Sequence, residues 1–393
     1  MKPGGIYIHI PFCKSRCSYC DFATDVYRGN DAVERYVNAL CVEIDGFLPQ
    51  NEPDDAGKEF SSDPRYPRLT AADSPSYIDT IYFGGGTPSL LRPDQLERIL
   101  SAIHGKFEIA NGAEVTMEMN PATVTLESLA AFRDLGINRA SFGVQTFNDR
   151  DLKLLARGHD ATDVKNTYRM LRDAGFANVS FDLIAGLPGQ KMDDWRRNLD
   201  EAVAMMPEHL SLYLLEIHES TPLAEQLRSG RRDLPDEELV ADMYELMIDR
   251  LAGAGYEQYE ISNFARPGFA SRHNSKYWKL DPVYGYGVSA HSFDGTHRYA
   301  NERDTARYVA MMENSASAEV MREDIDLSSE FVFLGLRLTE GIDLDNFHRR
   351  FGIDIDDRVA GLVENELVEV INGRLRLTRR GMLFSNEVFA EFV

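Results

Sequence analysis

Six short runs of β-branched and aromatic residues, each followed by a helical pattern, govern what this 393-residue chain can fold into. They are Gly5–Ile10, Thr80–Phe83, Glu114–Glu118, Arg139–Gly143, Val179–Leu183 and His209–Leu214. The intervening segments read as amphipathic helices. Leu96, Ile99, Leu100 and Ile103 share a face of Asp94–Ile103, and Leu126–Leu135 and Ala161–Ala174 follow the same period. Alternation of this kind argues for parallel βα units. Six units are too few to close an eight-stranded barrel, which leaves a partial, open barrel or an open α/β sheet.

Beyond residue 225 the rhythm changes. Glu237–Gly253 is helical, with Leu239, Met243, Leu246, Met247 and Leu251 in register, and residues 256–300 are rich in aromatics and glycine. From Ser328 two helical stretches precede Leu367–Ile371 and Arg374–Thr378, which Asn372-Gly373 joins as a hairpin. The expected organisation is a barrel over 1–225, an extension over 226–310 and an α+β, winged-helix-like C-terminal domain over 311–393. Residues 49–77, opening with Pro49-Gln50-Asn51-Glu52-Pro53-Asp54-Asp55, read as a flexible surface insertion.

Composition excludes several roles. A net charge of −22 disfavours nonspecific nucleic-acid binding, which draws on clustered Lys and Arg. No apolar run reaches the ~18 residues of a membrane span, so no stable membrane insertion is expected. Met1-Lys2-Pro3-Gly4-Gly5 leads straight into the first strand with no signal-peptide pattern, and the expected location is cytoplasmic. The chain has four cysteines, three of them within eight residues. In a reducing compartment such a cluster points to metal or catalysis rather than to disulfides. Cys41 lies apart, on the apolar face of Asp31–Leu48 with Val33, Val37, Leu40, Ile44 and Leu48, and reads as a packed thiol.

Cys13, Cys17 and Cys20 have the spacing C-x3-C-x2-C directly after the first strand, where active-site loops of such architectures lie. Three thiolates can hold three irons of a [4Fe–4S] cluster and leave the fourth open. Zinc is the alternative, although it favours four ligands in paired knuckles and no second pair exists here. Gly84-Gly85-Gly86-Thr87-Pro88 follows the second strand, and glycines let a backbone approach a ligand closely. Glu118, Gln145 and Asp182 close later strands, and with Arg157 they bring polar groups to one rim.

The cysteine loop, with Tyr7-Ile8-His9-Ile10-Pro11-Phe12-Cys13 before it and Tyr19-Cys20-Asp21-Phe22 at its end, resembles the coproporphyrinogen-oxidase-like branch of the radical S-adenosylmethionine (SAM) superfamily. The resemblance implies a radical SAM partial (β/α)6 barrel, a [4Fe–4S] cluster on Cys13, Cys17 and Cys20, and SAM on its open iron. By motif, Tyr7, Gly85, Gly86, Thr87, Glu118, Gln145, Arg157 and Asp182 match the family's SAM contacts. The branch contains oxygen-independent coproporphyrinogen III oxidases and heme chaperones. The oxidases carry a fourth cysteine where this chain has Phe22, and a longer arm before the first strand. His273-Asn274-Ser275-Lys276-Tyr277-Trp278 matches the H-N-x-x-Y-W motif associated with heme in the chaperones. The resemblance therefore implies bound heme, acceptor hemoproteins and a reductant protein as partners, with coproporphyrinogen oxidation as the alternative. His273 and His291 are the candidate heme ligands. A buried, hydrogen-bonded histidine remains the plain alternative for His273.

Overall fold

The computed structural model describes residues 3–27, 29–46, 77–315 and 317–392, apart from the side chains of residues 356 and 357. The insertion expected over 49–77 lies outside the described residues except for Tyr77, which already begins a strand.

All six expected strands form. They are β1 (Gly4–Ile10), β4 (Tyr77–Gly85), β5 (Glu108–Met119), β6 (Arg139–Gln145), β7 (Val179–Ala185) and β8 (His209–Leu214). Two-residue strands β2 (Phe12–Cys13) and β3 (Asp25–Val26) bracket the cysteine loop. The chain then adds β9 (Glu257–Gln258), β10 (Asn263–Ala265), β11 (Val283–Tyr286), β12 (His291–Phe293), β13 (His297–Asn301) and β14 (Glu319–Asp324). Among the described residues β1 and β4 to β14 make a twelve-stranded sheet in the order β14-β13-β12-β11-β1-β4-β5-β6-β7-β8-β10-β9, and β2 pairs with β3 apart from it. The parallel part has one strand more than the sequence suggested. β11 pairs in parallel with the free edge of β1, Tyr7 opposite Gly285.

The helices are α1 (Asn30–Gly46), α2 (Pro93–Lys106), α3 (Leu126–Asp134), α4 (Asp149–Leu154), α5 (Ala161–Asp173), α6 (Met192–Met205), α7 (Pro222–Arg228), α8 (Glu237–Ala252) and α9 (Arg272–Trp278). They bury the predicted faces: Leu96, Ile99, Leu100 and Ile103 of α2, and Met243, Met247 and Leu251 of α8. Thr125 and Asp160 cap α3 and α5 by accepting from the backbone three residues on. Cys41 is half-buried against the same core as Val37 and Leu40.

The two faces of the parallel sheet differ in chemistry. Outward, Ile6, Ile8, Ile10, Phe83, Met117, Phe142, Phe181 and Leu210 pack under the helices in one apolar core. Inward, the register places Tyr7, Tyr82, Thr116 and Arg139 side by side across four strands. The adjacent row holds His9, Gly84, Glu118, Ser141, Ser180 and His209. Alternation along each strand thus sends greasy residues to the helices and polar ones into the barrel.

Toward the C-terminus, helices Leu344–Phe351 and Asp356–Glu364 precede the hairpin Val368–Ile371 and Arg374–Leu377, with Ile342–Asp343 as a third strand. Asn372 and Gly373 both take positive φ, 52° and 74°, as a two-residue hairpin turn requires.

Trp195 of α6 is fully buried, and its indole N–H donates to Met243 O of α8 at 2.9 Å. Trp195→Ala removes both the ring and that bond and is expected to destabilise the fold by about 3–5 kcal/mol. A lowered denaturant midpoint with an unchanged slope is the expected reading. An unchanged midpoint would show that this clamp carries no stability.

Candidate functional site

The cysteine loop leaves β1 at its carboxyl end and is pinned from three sides. β2 and β3 pair in parallel, with Tyr27 N–H donating to Cys13 O at 2.8 Å and Asp25 N–H to Pro11 O at 2.8 Å. Ser18 donates its N–H to Leu155 O and its hydroxyl to Leu154 O, both at 3.0 Å, tying the loop to the end of α4. Leu223 N–H at the start of α7 donates to Ser18 O at 2.8 Å. Cys13, Cys17 and Cys20 are free thiols, partly exposed.

Two donors reach the sulfurs. Thr87 Oγ1 lies 3.6 Å from Cys13 Sγ, and Arg157 Nη1 lies 3.4 Å from Cys17 Sγ. Burial pushes the Cys13 thiol up to about 11, which the Thr87 hydroxyl partly offsets. Arg157 is aimed by a left-handed residue, Ala156 (φ 55°), that turns the chain at the end of α4. Its Nη2 also donates to Gly143 O at 2.8 Å and to Asn120 Oδ1. Asn120 Nδ2 in turn donates to Thr87 Oγ1 at 2.8 Å. Asn120 thereby links the two sulfur donors into one network. Nothing in the sequence marked it, because it follows β5 with no motif around it.

The glycine triplet docks one loop on another. A Cβ on Gly84 would come within 2.9 Å of the Tyr7 and Tyr82 rings, on Gly85 (φ 109°) within 2.7 Å of the His9 ring, and on Gly86 within 2.7 Å of Pro11. The glycines therefore seat the entrance of the cysteine loop. His9 is held there by Tyr7 Oη (3.1 Å) and Ala23 O (2.9 Å).

Inside the barrel stand two carboxylates. Glu118 accepts from Tyr82 Oη at 2.8 Å and from Gly85 N–H at 3.0 Å. Burial pushes its carboxyl up to about 7, and Asp182 adds to the rise. Burial also raises Asp182, to about 6, against the pull of Arg139 and the hydroxyl of Ser211. Arg139 is buried, and its Nε and Nη1 have no hydrogen-bond acceptor among the described residues. Gln145 ends β6 at φ 66°, beside a bulge in its pairing with β7. Its Nε2 and Arg157 Nη2 both crowd the position of Gly143. Thus Tyr7, Gly85, Gly86, Thr87, Glu118, Gln145, Arg157 and Asp182 cluster around one mouth and the barrel beneath it. Sequence reasoning missed His9, Tyr82, Asn120 and Arg139.

His273 lies elsewhere. It is buried on α9, its backbone N–H donates to Glu114 at 3.0 Å, and its ring nitrogens meet Thr80 Oγ1 (2.9 Å) and Tyr277 Oη (3.2 Å). Burial lowers its pKa to about 3. Both ring nitrogens of this packed histidine are thus engaged with side chains of the barrel. His291 is exposed, on β12.

The radical SAM superfamily model matches residues 7–202, and the HemN C-terminal domain model matches residues 323–384. The fold and site are therefore those of a radical SAM protein. Heme chaperone HemW of Lactococcus lactis is 33% identical over 398 residues, covering 100% of this chain and 98% of that protein. HemW of Bacillus subtilis is 33% identical with 98% of both chains covered, and HemW of Synechocystis is 36% identical over 87% of this chain and 80% of that one. The chain belongs to the HemW family of radical SAM proteins. The solved coproporphyrinogen III oxidase HemN of Escherichia coli shares the fold, with a TM-score of 0.82 over 99% of this chain and 90% of that chain, at 23% identity.

The Glu118 carboxyl yields a signed prediction. Its value in the fold, about 7, exceeds the ordinary 4.5, so the folded chain holds this proton more tightly than the unfolded chain does. Its contribution is complete below pH 4.5 and is lost as pH rises through about 7. His9 and His273, lowered to about 4 and about 3, act with the opposite sign in acid, so the comparison must be differential. The unfolding free energy of Glu118→Gln minus that of wild type is expected to increase from pH 4.5 to about 7. A difference independent of pH would refute this assignment.

Proposed function

We propose that this chain binds a [4Fe–4S] cluster, SAM and heme, and delivers the heme to acceptor hemoproteins in the cytosol. The observation that carries the reading is a cysteine triad held on a rigid loop at the polar mouth of a radical SAM barrel, in a chain alike over its full length to named heme chaperones.

The residues present fit a cluster. The three thiols are unpaired and share one loop, and Cys13 and Cys17 receive hydrogen bonds from Thr87 and Arg157. Among the described residues, no three His, Cys, Asp or Glu side chains converge as ligands of a single metal ion. Thiolates that each take a different iron need no such convergence, whereas zinc requires it. Cys13, Cys17 and Cys20 would hold the cluster, which when bound supplies a low-potential electron and an open iron for the amino and carboxylate groups of SAM.

The rest of the site prepares the mouth. Arg157 sets a positive charge against the thiolates and, with Asn120, fixes Thr87. Glu118 holds Gly85 in place and keeps lone pairs for ligand donors. Asp182 and Gln145 line the same wall, and Tyr7 completes it beside Glu118. Direct SAM contacts are assigned to Tyr7, Gly85, Gly86, Thr87, Glu118, Gln145, Arg157 and Asp182. A separate reductant protein supplies the electron. Among the described residues no helix is long and apolar enough to cross a membrane.

Anaerobic reconstitution tests this reading. Wild type is expected to take up iron and sulfide, to give an EPR signal that SAM perturbs, and to pass hemin to an apo-hemoprotein. Cys17→Ala is expected to lose the cluster signal and keep its circular dichroism. Zinc in the loop, or coproporphyrinogen converted to protoporphyrinogen at substantial turnover, would overturn it.

A further inference from the structure

One imidazole on the inner side of the sheet is left without a partner by the fold. The sequence has nine histidines. Six are engaged: His9, His159, His209 and His273 with groups of the barrel, and His297 and His348 with aspartates. His218 approaches Glu216 at 4.0 Å, and His104 sits in the last turn of α2. His291 is exposed and has no hydrogen-bond partner among the described residues.

Its place follows from register. Tyr7 of β1 is opposite Gly285 of β11, and a Cβ on Gly285 would stand 2.4 Å from His291 O, so the next strand crosses here. His291 pairs with Ala300 of β13. Phe293, two residues along β12 on the same face, carries the Arg298 guanidinium over its ring, and Arg298 acts electrostatically on Tyr277 inside the barrel. The His291 side of β12 therefore continues the inner face on which Tyr7 and Glu118 lie, beyond the last barrel strand, on the open flank.

Arg303 joins this flank to the cysteine loop. It follows β13, acts electrostatically on His291, and donates from Nη2 to Asp21 O at 2.8 Å. Asp21 stands between Cys20 and Phe22, and the Phe22 ring is 68% exposed. An aromatic ring of that size left in solvent beside a polar mouth is a surface for an apolar, planar ligand. An unengaged imidazole, an exposed guanidinium and an exposed phenyl ring thus stand along one rim.

We infer that the heme of the proposed function lies at this rim, with His291 as the iron ligand, Arg303 answering a propionate and Phe22 against the macrocycle. The inference rests on the heme-chaperone reading and deepens it. A neutral imidazole is a common iron ligand, and guanidinium matches carboxylate geometry. His273 does not take this role, because both its ring nitrogens are engaged inside the barrel.

Hemin titration of the reconstituted full-length protein tests this. Wild type is expected to give a one-to-one complex with a nitrogen-ligated Soret band. His291→Ala is expected to lose that band and to weaken hemin binding at least about tenfold, a change of about 1.4 kcal/mol. Added imidazole is expected to restore the band in His291→Ala, a rescue that a merely structural role would not show. His273→Gln, which keeps polar atoms toward Thr80 and Tyr277, is expected to retain the wild-type band. If His291→Ala binds hemin as wild type does, the ligand assignment is overturned while the chaperone reading stands. If His273→Gln loses the band and imidazole restores it, the ligand lies inside the barrel and the inference is wrong. Failure of wild type to bind hemin at all would remove the chaperone reading and this inference with it.

Discussion

Ionisable groups enclosed by the barrel are the constraint on which the rest of the structure depends. Glu118, Asp182, Arg139, His9, His209 and His273 all lie on or against the inner sheet face, largely removed from water. Enclosing a charge costs several kcal/mol unless partners and neutralisation offset it. The fold responds in both ways. The histidines are driven toward the neutral form, the two carboxyls rise toward neutrality, and hydroxyls from Tyr82, Thr80, Ser180 and Ser211 supply hydrogen bonds. The apolar contacts beneath the helices, on the opposite side of every strand, must hold the sheet against that penalty. A structure that accepts this arrangement along six strands is built around a polar ligand rather than around its own stability.

Such a mouth needs stiffness more than it needs many contacts. The cysteine loop is anchored at Pro11, Cys13, Ser18 and Tyr27, and Arg157 and Thr87 are cross-braced by Asn120. The glycine segment contributes by absence. Because Gly85 and Gly86 lack side chains, the His9 ring and the Pro11 carbonyl can close directly on it. Two loops from adjacent strands are thereby fixed to one another, and Glu118 locks the pair from below through Gly85 N–H. Loop-borne ligands gain their precision from this kind of support.

The parts of this arrangement that are local in sequence were legible there. Strand runs, the apolar helix faces, the cysteine spacing and the Asn372-Gly373 turn each announce themselves within a dozen residues. What depends on register did not. Tyr82, Thr116 and Arg139 look like ordinary strand residues until β4, β5 and β6 are laid side by side. Asn120 acquires a meaning only when Thr87 and Arg157 arrive from two other loops. β11 went unrecognised because it follows an aromatic, glycine-rich stretch without the strand–helix period, and it joins the sheet next to the first strand of the chain. A periodicity argument cannot see a strand whose partner lies nearly three hundred residues away.

The His273–Trp278 segment is tied into the fold ring by ring. From Tyr7 the rings run inward in sequence of contact: Tyr82 at 6.2 Å, His273 stacked on Tyr82 at 5.1 Å, Tyr277 at 5.4 Å and Trp278 at 6.4 Å. Arg337, from the helical region that follows β14, caps the series 4.3 Å over Trp278. Lys276 extends from the same helix to Pro3 O and Asp79, joining the base of β1 to the base of β4. His, Lys, Tyr and Trp at these positions therefore pack against the bases of β1 and β4 and tie them to the C-terminal region. His273, Lys276 and Tyr277 each have a polar partner, whereas the buried Trp278 Nε1 has none among the described residues. A residue so committed contributes by holding the wall that Tyr7 and Glu118 present to the mouth.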